Sequence, residues 1–432
     1  MKDQQMQKQL KKLYPWIIWS IAVIFLFYKY LLEVSPSVMS SELMRFFALD
    51  GEQMGNLAAC YFYAYFIMQI PMGILLDRFG PRRVMTISIF LCAVGTLILS
   101  QSHLLLFAGI GRFITGIGAA VAAIGCLKLT TLWFAPNRFA LMAGLMMSFG
   151  MLGAVSGEAP LAMAIDSFGW RGALFYGALI GVVLTILFWL IVRDSGHYVE
   201  MEPKKIQPTR FWHGVIDVLK RKQTWLLSLY SGLAFAPVAV FGGLWGVPFL
   251  QAAYGFSRTA AAEAVSLVFI GFAVGAPIAG WLSDRIGKRL PIIIIGTTLA
   301  LFISLIVLYF PELSITMANI LLFMFGFFIS AFLLSFAMVR EVNLLIFAAT
   351  ALGFMNTFDA ALGAISDPIL GHFLDLGWKG EMFHGARVFS LHAYHWAMSL
   401  LPLYLIISLI IVPFLKETHC RQVGANNYSP LP

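Results

Sequence analysis

Residues 73–83 read GILLDRFGPRR, and residues 280–289 read GWLSDRIGKR. Both pass from an apolar run through a glycine, an Asp-Arg pair, a second glycine and basic residues. Asp77 and Asp284 stand 207 positions apart. Two further echoes keep nearly the same offset: LGAVSGEAP (152–160) with LGAISDP (362–368), and GWRG (169–172) with GWKG (377–380). Three matches in the same order mark a chain written twice. Duplicated halves with a site between them are a transporter architecture, whereas a receptor, scaffold or membrane enzyme has no need of such symmetry.

Composition places both copies in a membrane. Hydrophobic residues make up 60% of the 432 and charged residues 12%, with a mean hydropathy of +0.85. A soluble chain carries about twice that charge. Apolar runs of about 20 residues, the length a bilayer demands, start near Trp16, Glu52, Arg83, Leu104, Phe139, Arg171, Thr224, Thr259, Leu290, Ser314, Ile346 and Ser390. The longest polar interruption, 193–223, divides six of them from six. The predicted fold is therefore an all-α integral membrane protein, with twelve transmembrane helices in two pseudo-symmetric six-helix bundles. Residues 1–193 form the first bundle, and 224–432 form the second with a short tail. The linker 194–223 carries an apolar stripe of Phe211, Val215, Val218 and Leu219 beside Lys220, Arg221 and Lys222. That pattern predicts a short helix on the membrane surface, with a solvated linker as the alternative.

The net charge of +8 is topological rather than a nucleic-acid footprint. With both termini in the cytoplasm, only Arg45, Arg171, Arg258, Lys379 and Arg387 fall in outer loops, and Lys29 and Arg112 lie within spans. The rest of the 29 Lys and Arg are cytoplasmic, as the positive-inside rule requires. Cys60, Cys92 and Cys126 fall in spans and Cys420 in the tail, with no disulfide or metal framework. The polar start leads directly into a full-length span without a cleavage site, so no removable signal is expected. Nucleotide-loop, nucleophile-elbow and zinc-protease motifs are missing, so neither an enzyme, a cofactor nor ATP-driven pumping is expected.

The repeated loop resembles the signature of the major facilitator superfamily, and the resemblance covers nearly the whole chain. Gly73, Asp77, Arg78, Gly80, Arg82 and Arg83 fill it, and Gly280, Asp284, Arg285, Gly287, Lys288 and Arg289 form a weaker copy. The resemblance implies that these clusters gate the two halves, and that spans 1, 4, 7 and 10 line a central cavity. In span 4, Arg112, Gly116 and Gly118 match the family pattern. Gly144, Gly150, Gly153, Gly157 and Pro160 of span 5 loosely resemble a drug-antiporter motif, although Glu158 and Ala159 interrupt the expected Gly-Pro pair. Close helix packing is the simpler account of those glycines. LLEVSPSVM, FYAYFIMQIPMGILLDRFG and LTTLWFAPNRFALMAG look most like bacterial nutrient carriers of the phagosomal-transporter type and their siderophore-transporting relatives. A monomer in the bacterial inner membrane is the implied setting.

Ionisable residues inside spans nominate the site, because they are expensive there. Lys29 and Glu33 are i,i+4 neighbours, and Arg112 reaches a similar depth from the opposite side. These three, with Tyr30, Tyr61, Tyr65, Trp245 and Asn356, are the predicted substrate-binding residues. Lys29 and Glu33 could also simply neutralise each other. Glu33, Asp359, Glu158 and Asp367 are the proton-coupling candidates, the last two at corresponding places of the duplicated motif. Separated positive and negative poles suit proton-coupled import of an amino acid or similar zwitterion. A polycarboxylate or siderophore is the first alternative, and drug or metabolite efflux the second.

Overall fold

The computed structural model describes residues 2–134, 139–194, 216, 218–310, 312–343, 348–383 and 386–421. Helix dominates because lipid offers no water to backbone N–H and C=O groups, so each segment satisfies them internally. Span 1 is the membrane part of Lys2–Val34, followed by a connecting helix, Pro36–Phe47. Span 2 is Gly51–Phe79 and span 3 is Pro81–Gln101. Span 4 runs through Leu105–Ala119 and Ala122–Trp133. Span 5 is Phe139–Ser156, continued after a break into Ala159–Ile191, which also holds span 6. Gly169, at φ +69°, turns the chain between the two.

The second half repeats the order. Span 7 comprises Lys222–Val240, a widened turn Phe241–Trp245, and Gly246–Tyr254. Pro248 lacks an N–H and its ring crowds the carbonyl one turn earlier, which is where the widening falls. Span 8 is Arg258–Ile286, span 9 Leu290–Tyr309, and span 10 Ile315–Ile329 continued by Leu334–Val342. Span 11 is Ala348–Leu376, and span 12 is Leu391–Met398 with Leu400–Ile411. Ten stretches are long and apolar enough to cross a membrane by composition alone; one of them, Met142–Ile191, contains two spans. Span 11, which carries Asn356, Asp359 and Asp367, is the twelfth helix. A two-residue hairpin, Met382–Phe383 with Ala386–Arg387, precedes span 12. The surface helix expected in 211–219 lies mostly outside the described residues.

Span starts follow local capping chemistry. Asp50 accepts from Gln53 N at 2.7 Å while Gln53 Oε1 accepts from Asp50 N at 3.2 Å, a reciprocal cap that opens span 2. Ser257, Ser314 and Ser390 cap spans 8, 10 and 12 in the simpler way. All four caps lie at one end of the bundle. In the repeated loops, Gly80 (φ +79°) and Gly287 (φ +72°) supply the left-handed backbone that turns span 2 into span 3 and span 8 into span 9.

Close approach of helices replaces the hydrophobic driving force that lipid removes. A Cβ on Gly153 would collide with Phe27 O, one on Gly150 with the Tyr30 ring, and one on Gly157 with Val34 and Leu31 O. The glycines of span 5 are therefore a packing surface for span 1. Spans 8 and 10 meet in the same way, Gly326 lying against Val268 O and Gly271 against Phe323 O. Gly326→Val should lower the unfolding temperature in detergent by the equivalent of about 1–3 kcal/mol of overpacking. Gly280→Val, where a Cβ meets nothing within 4 Å, should leave that temperature unchanged.

Candidate functional site

Two charges sit deep in span 1 because their surroundings replace water. Lys29 is 5% and Glu33 8% exposed. The Lys29 ammonium pairs with Glu33 Oε2 one turn along the same helix face. It also lies 3.7 Å from the centre of the Tyr30 ring and 5.0 Å from that of Tyr65, whose electron-rich faces attract a cation. Glu33 Oε2 accepts a second hydrogen bond, from Tyr61 Oη at 2.9 Å. Tyr61 stacks on Tyr65 at 6.1 Å, closing the box.

Arg112 lies beside this box, with both terminal nitrogens on main-chain carbonyls rather than on the Glu33 carboxylate. Its guanidinium donates to Leu32 O at 2.9 Å, Ala58 O at 3.4 Å and Glu33 O at 3.5 Å, and lies 5.0 Å from the Tyr61 ring. It ties span 4 to the backbones of spans 1 and 2 around the break after Val34. Asp367 attracts it electrostatically from the other half. Sequence spacing placed Arg112 at the right depth, but a period of 3.6 residues does not reveal which donors the backbone has taken.

Glu33 and Tyr30 line a cavity between the halves, together with Phe62, Phe235, Gly243 and Phe269. Its volume is about 390 Å³, of which about 30 Å³ admits the centre of a water molecule. A larger space of about 1420 Å³ between spans 1 and 6, of which about 690 Å³ admits the centre of a water molecule, is lined by Trp16, Ile24, Ile180 and Leu187 and forms an apolar groove on the lipid face. In the other half Asp359 is buried and accepts from Ser231 at 2.8 Å. Asn356 is half-buried one turn earlier. Trp245 is fully buried in the widened turn, its Nε1 donating to Asp367 O at 3.4 Å. Glu158 is buried at the break in span 5.

The halves are joined at the end that carries Gly51. Asp375 of span 11 accepts from Gly51 N and Glu52 N, both at 2.8 Å, so one half caps a helix of the other. Asp375 also holds Arg387 at 3.0 Å. Glu52 meets His372 at 2.8 Å, and Arg258 pairs with Glu42 and, at 3.3 Å, with Asp166. Beneath these pairs a Cβ on Gly51 would lie 2.6 Å from Gly371 O, and one on Gly55 would strike Asp367 O. At the Asp77 end of the same four spans the situation reverses. A Cβ on Gly73, Gly144, Gly280 or Gly353 would meet nothing within 4 Å. Spans 2 and 11, and spans 5 and 8, thus close at one end and part at the other. None of the closing residues was singled out from sequence, although the Gly51-x-x-x-Gly55 spacing is a small-residue packing signal that could have pointed to them.

The repeated loops sit at the parted end, and the contacts described for them run within each half. Arg82 N donates to Asp194 Oδ1 at 2.7 Å, and the Arg82 side chain donates to Trp189 O. Arg289 bridges Asp284 at 2.7 Å and Glu341 at 2.8 Å, while its backbone N and that of Leu290 donate to Glu417, each at 2.9 Å. Each loop is thus clasped by the residue that follows the last span of its own half. Arg78 lies over the ring of Phe79, Arg285 over that of Trp281, and Arg83 is exposed. Burial resists ionisation of Glu417, but the N–H groups of Arg289, Leu290, His419 and Thr418 outweigh it and hold its carboxyl below the usual range. A depressed carboxyl stabilises the folded state above its unfolded pKa, and that contribution is lost as pH falls through the folded one. Glu417→Gln should therefore lower the unfolding temperature at neutral pH. Its deficit should shrink on acidification below about pH 4, where the unfolded carboxylate protonates; a pH-scanned melting series reads both. Arg112→Met should destabilise by about 1–3 kcal/mol for each buried carbonyl left unpaired, seen as a fall in unfolding temperature with no ligand present.

Comparison with known proteins agrees with this architecture. The Major Facilitator Superfamily profile matches residues 17–366. A probable sulfoacetate transporter of Cupriavidus necator is 24% identical over 377 residues, covering 83% of this chain and 87% of its own. A probable galactarate/D-glucarate transporter of Escherichia coli is 22% identical over 423 residues, covering 87% and 90%. Among solved structures, an inward-facing, unoccupied bacterial homologue of the human lysosomal transporter Spinster superposes with a TM-score of 0.81 at 16% identity, covering 95% of this chain and 99% of that one.

Proposed function

Because the chain belongs to the Major Facilitator Superfamily, we propose that this secondary transporter carries a small organic anion together with a proton, by alternating access, as a monomer. The observation that carries the reading is the state of the two buried cations. Both terminal nitrogens of Arg112 donate to main-chain carbonyls, and its Nε alone lacks a partner among the described residues, whereas Lys29 is held by one carboxylate beside the cavity. Protonation of Glu33 cancels that carboxylate's charge and leaves the Lys29 ammonium, still seated on Tyr30, for a carboxylate, phosphate or sulfonate of the substrate. Return of the anion's charge to water and loss of the proton restore the pair. One proton then accompanies one negative charge, so a monoanion crosses electroneutrally.

Relatives whose names assign them sulfoacetate and galactarate or D-glucarate support an anionic substrate. The narrow space beside Glu33, about 30 Å³ of which admits the centre of a water molecule, favours a small one. The span 5 glycines pack on span 1 and lend no support to drug efflux. A zwitterion remains the second reading, on one observation: Asp359, with Ser231, is a buried acceptor in the half opposite Lys29. The excess of Lys and Arg at the Asp77 end supports an orientation with that end in the cytoplasm of a bacterial inner membrane. The parted end then faces inward, and the latch of Asp375, His372 and Arg258 closes the outside.

Proteoliposome uptake and ligand-induced thermal shift, screened over sulfonates, sugar acids, phosphates and amino acids, test the reading. Lys29→Ala should weaken binding of the active anion at least about tenfold, or 1.4 kcal/mol. Glu33→Gln should keep exchange but lose accumulation driven by a pH gradient. Wild-type affinity in Lys29→Ala, or gradient-driven accumulation by Glu33→Gln, would overturn it.

A further inference from the structure

Among the described residues, two buried carboxyls that the mechanism above does not use, Glu158 and Asp367, have oxygens with no hydrogen-bond partner, and only Asp367 has a cation facing it. Glu158 occupies the break between the two helical parts of span 5, at φ −102° and ψ −102°, and is 0% exposed. Neither of its oxygens makes a hydrogen bond. Ser37, on the first turn of the connecting helix Pro36–Phe47, faces it without meeting hydrogen-bond geometry, and its own Oγ is also unpartnered. The ionisable groups of the neighbouring helices are engaged elsewhere. Glu33 is with Lys29 and Tyr61, Arg112 with carbonyls of spans 1 and 2, Asp359 with Ser231, and Glu42 with Arg258. Asp367, its counterpart in the duplicated motif, faces Arg112 across the halves. Glu158 has no such cation.

An unpaired buried charge costs several kcal/mol, so the carboxyl needs a counter-ion or a proton. Most main-chain oxygens around the break are engaged, although Ser156 O lacks its donor one turn on because Pro160 has no N–H. Gly153 O and Ala154 O both accept from Gly157 N, Val155 O accepts from Glu158 N, and Glu158 O accepts from Ala162 N. The carboxyl, the Ser37 hydroxyl and the Ser156 carbonyl are enough to satisfy a neutral acid and fall short of the six or so oxygens a hard cation takes.

The surroundings tie this group to the latch. The break presses on the end of span 1, where a Cβ on Gly157 would strike Val34 and Leu31 O. The helix that brings Ser37 also brings Glu42 to Arg258 of span 8, and it packs against the widened turn of span 7. The helix that docks on the second half is therefore also the one that covers Glu158 with Ser37.

We propose that Glu158 is a proton-binding site, occupied while the Asp375 end is closed and emptied when the connecting helix withdraws and water reaches the carboxyl. The O–H of the neutral acid is donated to Ser37 Oγ. On opening, the proton passes to water and the carboxylate becomes hydrated. Closure of this end then requires a proton, with or without substrate.

The test uses the full chain, reconstituted without any ligand, so its failure would leave the anion reading standing. Spin labels on Arg45→Cys and Lys379→Cys, both exposed at the closing end, report its opening in a background lacking the four native cysteines. Raising the pH should shift the population toward the open end. Glu158→Gln, a permanently neutral mimic, should stay closed and lose about tenfold of the pH-driven change in the closed-to-open ratio, equivalent to one unit of proton linkage. Glu158→Met should behave alike, which guards against a folding defect of a single variant. Infrared spectra at neutral pH should show a protonated-carboxyl band that Glu158→Gln removes and Asp359→Asn retains. Wild-type pH dependence in both variants, an unchanged band in Glu158→Gln, or closure at high pH restored by sodium in place of choline would each overturn the proposal.

Discussion

A membrane interior supplies no water, and every polar group placed there must find its partner within the protein. That constraint makes the chain helical, and it also explains how the site is built. The Lys29–Glu33 pair survives in span 1 because two tyrosine rings and the Tyr61 hydroxyl do what solvent would do elsewhere. Arg112 survives because a break after Val34 exposes carbonyls that need donors. The same logic singles out Glu158, whose oxygens have no hydrogen-bond partner among the described residues.

Alternation between two states follows from a second use of small residues. Gly51, Gly55 and Gly371 let the halves touch backbone to backbone at one end, and Gly73, Gly144, Gly280 and Gly353 face open space at the other. The charges above the closed glycines are partly exposed, and such pairs contribute little stability individually. They suit a contact that must form and break repeatedly. Asp375 is different in kind, because it satisfies helix-end N–H groups of the other half. Opening the latch leaves those groups to water, which is available only at that surface.

The repeated loops gain a clearer role from their clasps. Asp194 and Glu417 follow the last spans of the two halves and hold the turn between the second and third spans of each half. The contacts described therefore stiffen each half while the Asp77 end is parted.

Much of this was legible in the chain itself. Twelve apolar runs, the duplicated loop and the depth of Lys29, Glu33 and Arg112 are consequences of helical rise and bilayer thickness, which act locally. The i,i+4 pairing of Lys29 with Glu33 is likewise a property of one helix. Tertiary structure decided which donors of Arg112 were already taken, because its acceptors lie on spans 1 and 2. It decided that the span 5 glycines seat span 1, and that Asp375, His372 and Arg258 close one end of the cavity. Those contacts join residues up to hundreds of positions apart, and no periodicity along a single helix encodes which face meets which neighbour.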